Sequence, residues 1–238
     1  MLSSLEPNLV EVSCHQKGTH ALQTLISLCS SQEEEKVYAS AFKDRILDLS
    51  YHTNASHVIQ KLLSTIRNRH FIIKELIGHA RQLAVHKIGL CVIKKAINDP
   101  QIFSELNEDI LLLMQDPYGN YAIQILVETW MEELSFSIVC AIRGKAGQLC
   151  IQKYSSNVIE KCLKEESMRN FIVDELIQED KIKVLLSSPY GCYVLRTAVK
   201  CADEDLRRKL KPFIIESMNN VSYKTLKNRW EEILSYFE

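Results

Sequence analysis

The side chains best suited to binding chemistry in this sequence come in sets of three with one spacing. Asn120, Tyr121 and Gln124 form one set, and Ser156, Asn157 and Glu160 form another. In each, a short polar residue stands four positions before a longer one, and a ring or a planar amide follows the first. Residues i and i+4 share a helix face, so Asn120 and Gln124 point the same way, as do Ser156 and Glu160. Tyr121 or Asn157 projects beside that face. Such a set offers two hydrogen-bonding groups and one flat or small group. An amide both donates and accepts, a carboxylate only accepts, and a ring stacks. The same spacing recurs at Thr19/His20/Gln23, Ser56/His57/Gln60, Leu90/Cys91/Lys94 and Cys192/Tyr193/Arg196.

These sets lie inside a longer repeat. Six segments align without internal gaps: HQKGTHALQTLI, HTNASHVIQKLL, HKIGLCVIKKAI, DPYGNYAIQILV, QKYSSNVIEKCL and SPYGCYVLRTAV. Their anchors, Gln23, Gln60, Lys94, Gln124, Glu160 and Arg196, are spaced by 37, 34, 30, 36 and 36 residues, the period of a helical solenoid. Five residues before each anchor stand Gly18, Ala55, Gly89, Gly119, Ser155 and Gly191, all small. Eight before it stand His15, His52 and His86, so a shared scaffold column explains three of the seven histidines without a metal.

The elements that must position these groups are helices. Apolar residues lie one and two before each anchor and two and three after it, a single stripe at period 3.6. Asp116-Pro117 and Ser188-Pro189 favour an extended break just ahead of two of these helices. Further amphipathic stretches lie between them, such as Phe71 to Ile77 and Phe171 to Ile177, and a third helix is expected from Glu108 to Met114. Each unit of about 36 residues is therefore two or three short helices. One unit cannot bury its apolar face alone, whereas stacked units form a continuous core. The expected fold is an all-α curved solenoid, a single domain over 1–238, closed by an amphipathic capping helix within 217–238 that carries Trp230, Ile233, Leu234 and Phe237.

Composition bounds the rest. The chain has 238 residues, 46% hydrophobic and 25% charged, which excludes disordered, collagen and coiled-coil classes. Lys and Arg number 29 against 30 Asp and Glu, so nothing marks a polybasic binder. The eight cysteines include no C-x-x-C pair and read as small buried thiols of a reducing compartment, as at Val139-Cys140-Ala141. With no apolar run near 18 residues and no signal-type N-terminus, the expectation is a soluble intracellular protein, without a membrane segment, metal, cofactor or small-molecule substrate. Enzyme motifs are lacking: there is no G-x-x-x-x-G-K-[ST], no G-x-S-x-G and no H-E-x-x-H. Cys14-His15 is assigned to the scaffold column rather than to a catalytic dyad. A HEAT- or armadillo-like scaffold for protein partners fits the same fold, but leaves the homologous triplets unexplained.

The triplets match the edges of nucleobases. Paired amides meet the donor and acceptor edge of uracil, a carboxylate accepts the N1 and N2 hydrogens of guanine, and a ring stacks on a base face. On these residues, and above all on DPYGNYAIQILVE and KYSSNVIEKCLKE, the chain resembles the pumilio (PUF) family over residues 8 to 216. That resemblance implies a right-handed solenoid of three-helix repeats, six here where the usual member has eight. It implies single-stranded RNA extended along the concave face, one base per repeat, with the C-terminal repeats at the 5′ end. It further implies cytoplasmic post-transcriptional control through 3′ untranslated regions, by translation repression and mRNA decay, with protein cofactors on the convex face.

Carried over by repeat, the resemblance implies that Asn120/Tyr121/Gln124 read uracil and Ser156/Asn157/Glu160 read guanine. Ser56/His57/Gln60 is close to the adenine pattern, and Thr19/His20/Gln23 is degenerate between adenine and uracil. Base-edge contacts then fall to Thr19, Gln23, Ser56, Gln60, Lys94, Asn120, Gln124, Ser156, Glu160, Cys192 and Arg196, and stacking to His20, His57, Tyr121, Asn157 and Tyr193. Cys192 and Arg196 depart from the family's uracil pattern. Leu90/Cys91/Lys94 departs furthest and is expected to select little, with Lys94 placed to reach a phosphate. The implied site is 5′-(U)-G-U-N-A-(A/U)-3′, and a PUF-like protein with little sequence preference is the nearer alternative. Lys17, Lys87 and Lys153 precede their anchors by six or seven residues and Lys61, Lys95 and Lys161 follow theirs directly, so a neutral total can contain a basic groove. The runs Glu33-Glu34-Glu35, Glu165-Glu166 and Asp203-Glu204-Asp205 are expected elsewhere, as solvated faces.

Overall fold

The computed structural model describes residues 2–177, 179–219 and 227–237, of which 179–180, 218–219 and 227–230 are described by backbone alone. The described residues are helical, with no strand among them. They fall into two compact units, 1–109 and 110–238.

In the first unit the helices come in threes: Leu9–Cys14, Gly18–Ser27 and Gln32–Phe42; then Ile46–Tyr51, Ala55–Thr65 and His70–Leu76; then Ala80–Ala84, Gly89–Ala96 and Pro100–Glu108. The middle helices stack in order, Gly18–Ser27 on Ala55–Thr65 and that on Gly89–Ala96. The second unit repeats the plan with Ile110–Leu113, Gly119–Thr129 and Met131–Ile142; Ala146–Cys150, Ser155–Lys164 and Glu166–Leu176; and Glu179–Ser187, Gly191–Cys201 and Glu204–Asn219. Its middle helices also stack in order, and Lys227–Leu234 packs on Gly191–Cys201 as the next in line. The residues that begin these four helices, at 119, 155, 191 and 227, are 36 apart. Ile233 is buried there; of the expected cap, residues 220–226, Glu238 and the Trp230 side chain lie outside the described residues.

The apolar stripe of each middle helix is the core. Val58, Ile59, Leu62 and Leu63 are buried in one repeat, and Val158, Ile159, Cys162 and Leu163 in another. Each such side chain removed from water contributes roughly 1.5–3 kcal/mol. The small column exists because the middle helix starts against the end of the helix before it. A Cβ on Gly119 would lie 2.8 Å from the Leu113 carbonyl oxygen, and one on Gly191 2.7 Å from that of Leu185. Where this column holds Ser155, the hydroxyl donates to the equivalent carbonyl, of Leu149, at 2.6 Å.

The histidine column caps the turn into the middle helix. His15, His52 and His86 each accept through Nδ1 from the backbone N–H groups two and three residues on, at 3.2–3.3 Å. Asp116 and Ser188 do the same in their repeats, the first at 2.7–2.8 Å. The column is an N-cap, in which any short acceptor serves. It requires the Nε2–H tautomer of each imidazole.

Two further devices close a repeat on itself. Glu75 accepts from Asp44 and Ile46 N–H at 2.8 and 2.9 Å, tying the third helix to the start of the first. Glu105 does this with Gly78 and Ala80, and Glu175 with Gly144. The turn so held has a positive φ at Asp44, Gly78 and Gly144, 60°, 81° and 69°, and the two glycines supply it without Cβ strain. Arg69, Arg169 and Arg207 meanwhile donate to the last carbonyls of their middle helices, at Leu63, Leu163 and Val199.

Three expectations are corrected. The helix expected over Glu108–Met114 is two: Pro100–Glu108 ends at Asp109, which pairs with Arg81 at 2.9 Å, and Ile110–Leu113 follows. Cys140 is exposed, as is Cys91; its apolar sequence neighbours point to other sides of Met131–Ile142, because successive residues turn about 100° around a helix. The acidic runs also do more than face water. Glu34 closes a capping box with Ser31, Glu35 accepts from Arg67 and Asn68 N–H, and Asp203 accepts from Leu206 N–H at 2.8 Å. Glu34 Oε2 also accepts from the Ser30 and Ser31 N–H groups, and it is first these bonds that hold its half-buried carboxyl below the ordinary range.

Candidate nucleic-acid interface

The middle helices present every triplet in one arrangement. The first residues, Thr19, Ser56, Leu90, Asn120, Ser156 and Cys192, are all buried, with at most 5% exposure. The second residues are exposed: His20, His57, Cys91, Tyr121, Asn157 and Tyr193, with half of Tyr121 open to solvent. The anchors are half-buried, apart from exposed Lys94. Each slot is thus a small floor, a polar side chain rising from it, and a projecting group alongside.

Local bonds fix the floor. Asn120 Nδ2 donates to the Asp116 and Pro117 carbonyls at 2.8 and 3.0 Å, which leaves Oδ1 to accept from Gln124 Nε2 at 2.9 Å. That bond uses one amide hydrogen of Gln124, and the same amide carries a carbonyl and a second N–H. Gln23 Nε2 turns back in the same way onto Thr19, whose hydroxyl donates to the Asn54 carbonyl at 3.0 Å. Asn157 Nδ2 donates to Lys153 O at 3.2 Å, and Glu160 Oε2 accepts from the Thr197 hydroxyl at 3.1 Å.

Two repeats differ. Gly89–Ala96 is shorter, because Asp99-Pro100 opens a new helix capped by Asp99 Oδ1 on Gln101 N–H; its slot has a Leu90 floor and an exposed thiol. In the last repeat the Arg196 guanidinium lies 5.2 Å from the Tyr193 ring centre and pairs with Glu232 at 3.2 Å. The cations are distributed unevenly. Lys17, Lys87, Lys95 and Lys153 are exposed, Lys61 is half-buried, and Lys161 is paired with Glu128. Among the described residues no cluster of His, Cys, Asp and Glu could hold a metal ion, and no helix is long and apolar enough to cross a membrane.

Sequence reasoning passed over Thr197 and Glu232. The signal for Glu232 was available, since it stands 36 residues after Arg196 and so in the anchor column. Thr197 follows an anchor, where half the repeats carry lysine, and only the fold shows which neighbour it faces.

In each unit, stacked three-helix repeats with one triplet on every middle helix define a helical-repeat protein. The Pumilio-family RNA binding repeat matches residues 8–39, 45–77, 79–99, 109–143, 145–177 and 186–210, and the chain belongs to that family. Pumilio homolog 12 of Arabidopsis thaliana is 34% identical over 202 residues, 81% of this chain and 34% of that protein. Pumilio homology domain family member 4 of Saccharomyces cerevisiae is 30% identical over 204 residues, 79% and 22% of the two chains. The chain spans little more than a third of the length of the first curated relatives it matches. Among solved structures, the Puf4 RNA binding domain bound to an HO endonuclease RNA 3′ UTR recognition sequence superposes with a TM-score of 0.88 at 28% identity, over 98% of this chain and 77% of that one. A Puf4 double mutant bound to a Cox17 RNA 3′ UTR recognition sequence gives 0.90 at 26% identity, over 100% and 84%. The fold is the all-helical six-repeat solenoid of this family.

Proposed function

We propose that this chain binds single-stranded RNA through its triplets, one base per repeat, and does no catalysis. The observation that carries this reading is the recurring arrangement of buried floor and projecting group in all six middle helices, with a half-buried anchor in five of them. It recurs once in each repeat, in a chain similar to RNA-bound Puf4 domains. The assignments are guanine to Ser156/Asn157/Glu160, uracil to Asn120/Tyr121/Gln124, adenine to Ser56/His57/Gln60, and adenine or uracil to Thr19/His20/Gln23. The target is a U-G-U- or G-U-containing element of an mRNA 3′ untranslated region, and the outcome is repression or decay in the cytoplasm.

In-vitro selection from a random RNA pool tests this. A G-U core enriched by the parent chain supports it, and no enrichment sinks base-specific reading. The paired change Asn120→Ser with Gln124→Glu should move preference at one base from uracil toward guanine. A double mutant with the parent's preferences at every base would show that this repeat does not read. A second reading, RNA binding with little base preference, is favoured by the Leu90 floor and by the engagement of Arg196 with Glu232.

A further inference from the structure

Among the six triplet anchors Glu160 alone is acidic, and its carboxylate does not stand alone. Thr197, on the middle helix of the following repeat, donates its hydroxyl to Glu160 Oε2 at 3.1 Å and is itself 7% exposed. A buried hydroxyl with a charged acceptor holds a fixed geometry, because breaking the bond would leave the Thr197 hydroxyl buried without that acceptor. The bond joins residues 37 apart, an anchor and the residue after the next anchor.

The occupants of that slot vary with the anchor they follow. By register, Lys61 succeeds Gln23, Lys95 succeeds Gln60 and Lys161 succeeds Gln124, all amide anchors. Only the carboxylate anchor is succeeded by threonine. A lysine there would put an ammonium beside Glu160, neutralising it and competing for its lone pairs. A threonine supplies one neutral donor. Each carboxylate oxygen can accept more than one hydrogen bond, so Oε2 can hold Thr197 and still accept from a base.

We propose that Thr197 is a positioning residue for guanine: it fixes the rotation of the Glu160 carboxylate so that both oxygens meet the N1 and N2 hydrogens of one base. Guanine selection is then a property of two adjacent repeats. The inference rests on the assignment of guanine to Glu160, and its test separates the two.

Binding of the full chain is measured to three RNAs that differ at this base alone, carrying guanine, inosine (which lacks the N2 amino group) or adenine. Thr197→Val, close in shape and without the hydroxyl, should lower the guanine-over-adenine and guanine-over-inosine ratios roughly three- to tenfold, within what one hydrogen bond to a charged group accounts for. Uracil selection at the Gln124 repeat should be untouched, and Thr197→Ser should restore the ratios. Thr197→Ala replaces the valine variant if that one fails to fold. If Thr197→Val leaves the ratios intact while Glu160→Gln collapses them, Thr197 has no positioning role and the guanine assignment stands. If Glu160→Gln leaves them intact, the guanine assignment falls and the proposal with it. A uniform loss of affinity for all three RNAs makes Thr197 structural only and overturns the proposal.

Discussion

At Cys91 the slot that carries a ring in four other repeats carries an exposed thiol. That makes it a built-in reporter, because the remaining cysteines differ so much in reactivity. Burial pushes the Cys162 thiol up to about 12 and the Cys150 thiol higher still, the latter helped by the Glu160 carboxylate. The reactive form is the thiolate, so neither should react until the chain unfolds. Maleimide should label Cys91 and Cys140 in the folded protein and spare Cys150 and Cys162. Bound RNA should slow labelling of Cys91 and leave Cys140 unaffected, as read by peptide mass spectrometry. Protection of Cys140 instead would place the RNA on another face. At this scale the sequence showed the chemical columns plainly, because six aligned copies average away the accidents of each. It misjudged Cys140, because neighbours in sequence are not neighbours on a helix face.

The three-helix unit owes its shape to bonds made by a few side chains at helix ends. The N-cap column holds histidine three times, aspartate once and serine once, each accepting from the same two N–H groups. His86 also meets the Tyr51 ring edge-on at 4.8 Å. His86→Ala should therefore cost about 1 kcal/mol or somewhat more, the usual loss for an N-cap. His86→Asp, which copies Asp116, should recover the capping share. Denaturation followed by circular dichroism checks both, and equal losses for the two would remove the cap from the account. Helix positions were legible from the apolar stripe. Helix ends were less so, since histidine is not an expected cap and no glycine or proline marks the break at Asp109. The glycine column was visible as a pattern, but its cause, a carbonyl under 3 Å from where a Cβ would stand, needs the neighbouring helix.

For the whole molecule, a formal charge of −1 limits what electrostatics can contribute. Two of the cations near the triplets, Lys161 and Arg196, are already in ion pairs. Single strands lose affinity with salt at about 0.7 log units per neutralised phosphate, and with at most about six phosphates the slope should be shallower than about −4. Titration of RNA binding against salt checks this, and a steeper slope would mean that phosphates, rather than base edges and stacking, dominate. The repeat count and period were readable at this scale from six aligned anchors. The division into units at 109 and 110 was not, because contacts rather than residue types define it.

The carboxylate closures bear on how the chain could be cut and rejoined. Glu75 and Glu105 reach back to N–H groups at 44 and 78, each 16 residues ahead of its anchor, and Glu175 to that at 144, again 16 ahead. A junction one or two residues later would divide the acceptor from a donor it holds and leave a left-handed turn untied. A module exchanged between members of such an array is therefore best bounded immediately before Asp44, Gly78 or Gly144. Cut there, each segment carries its own clasp, and a base preference could be transplanted without reopening the loop that keeps it in place.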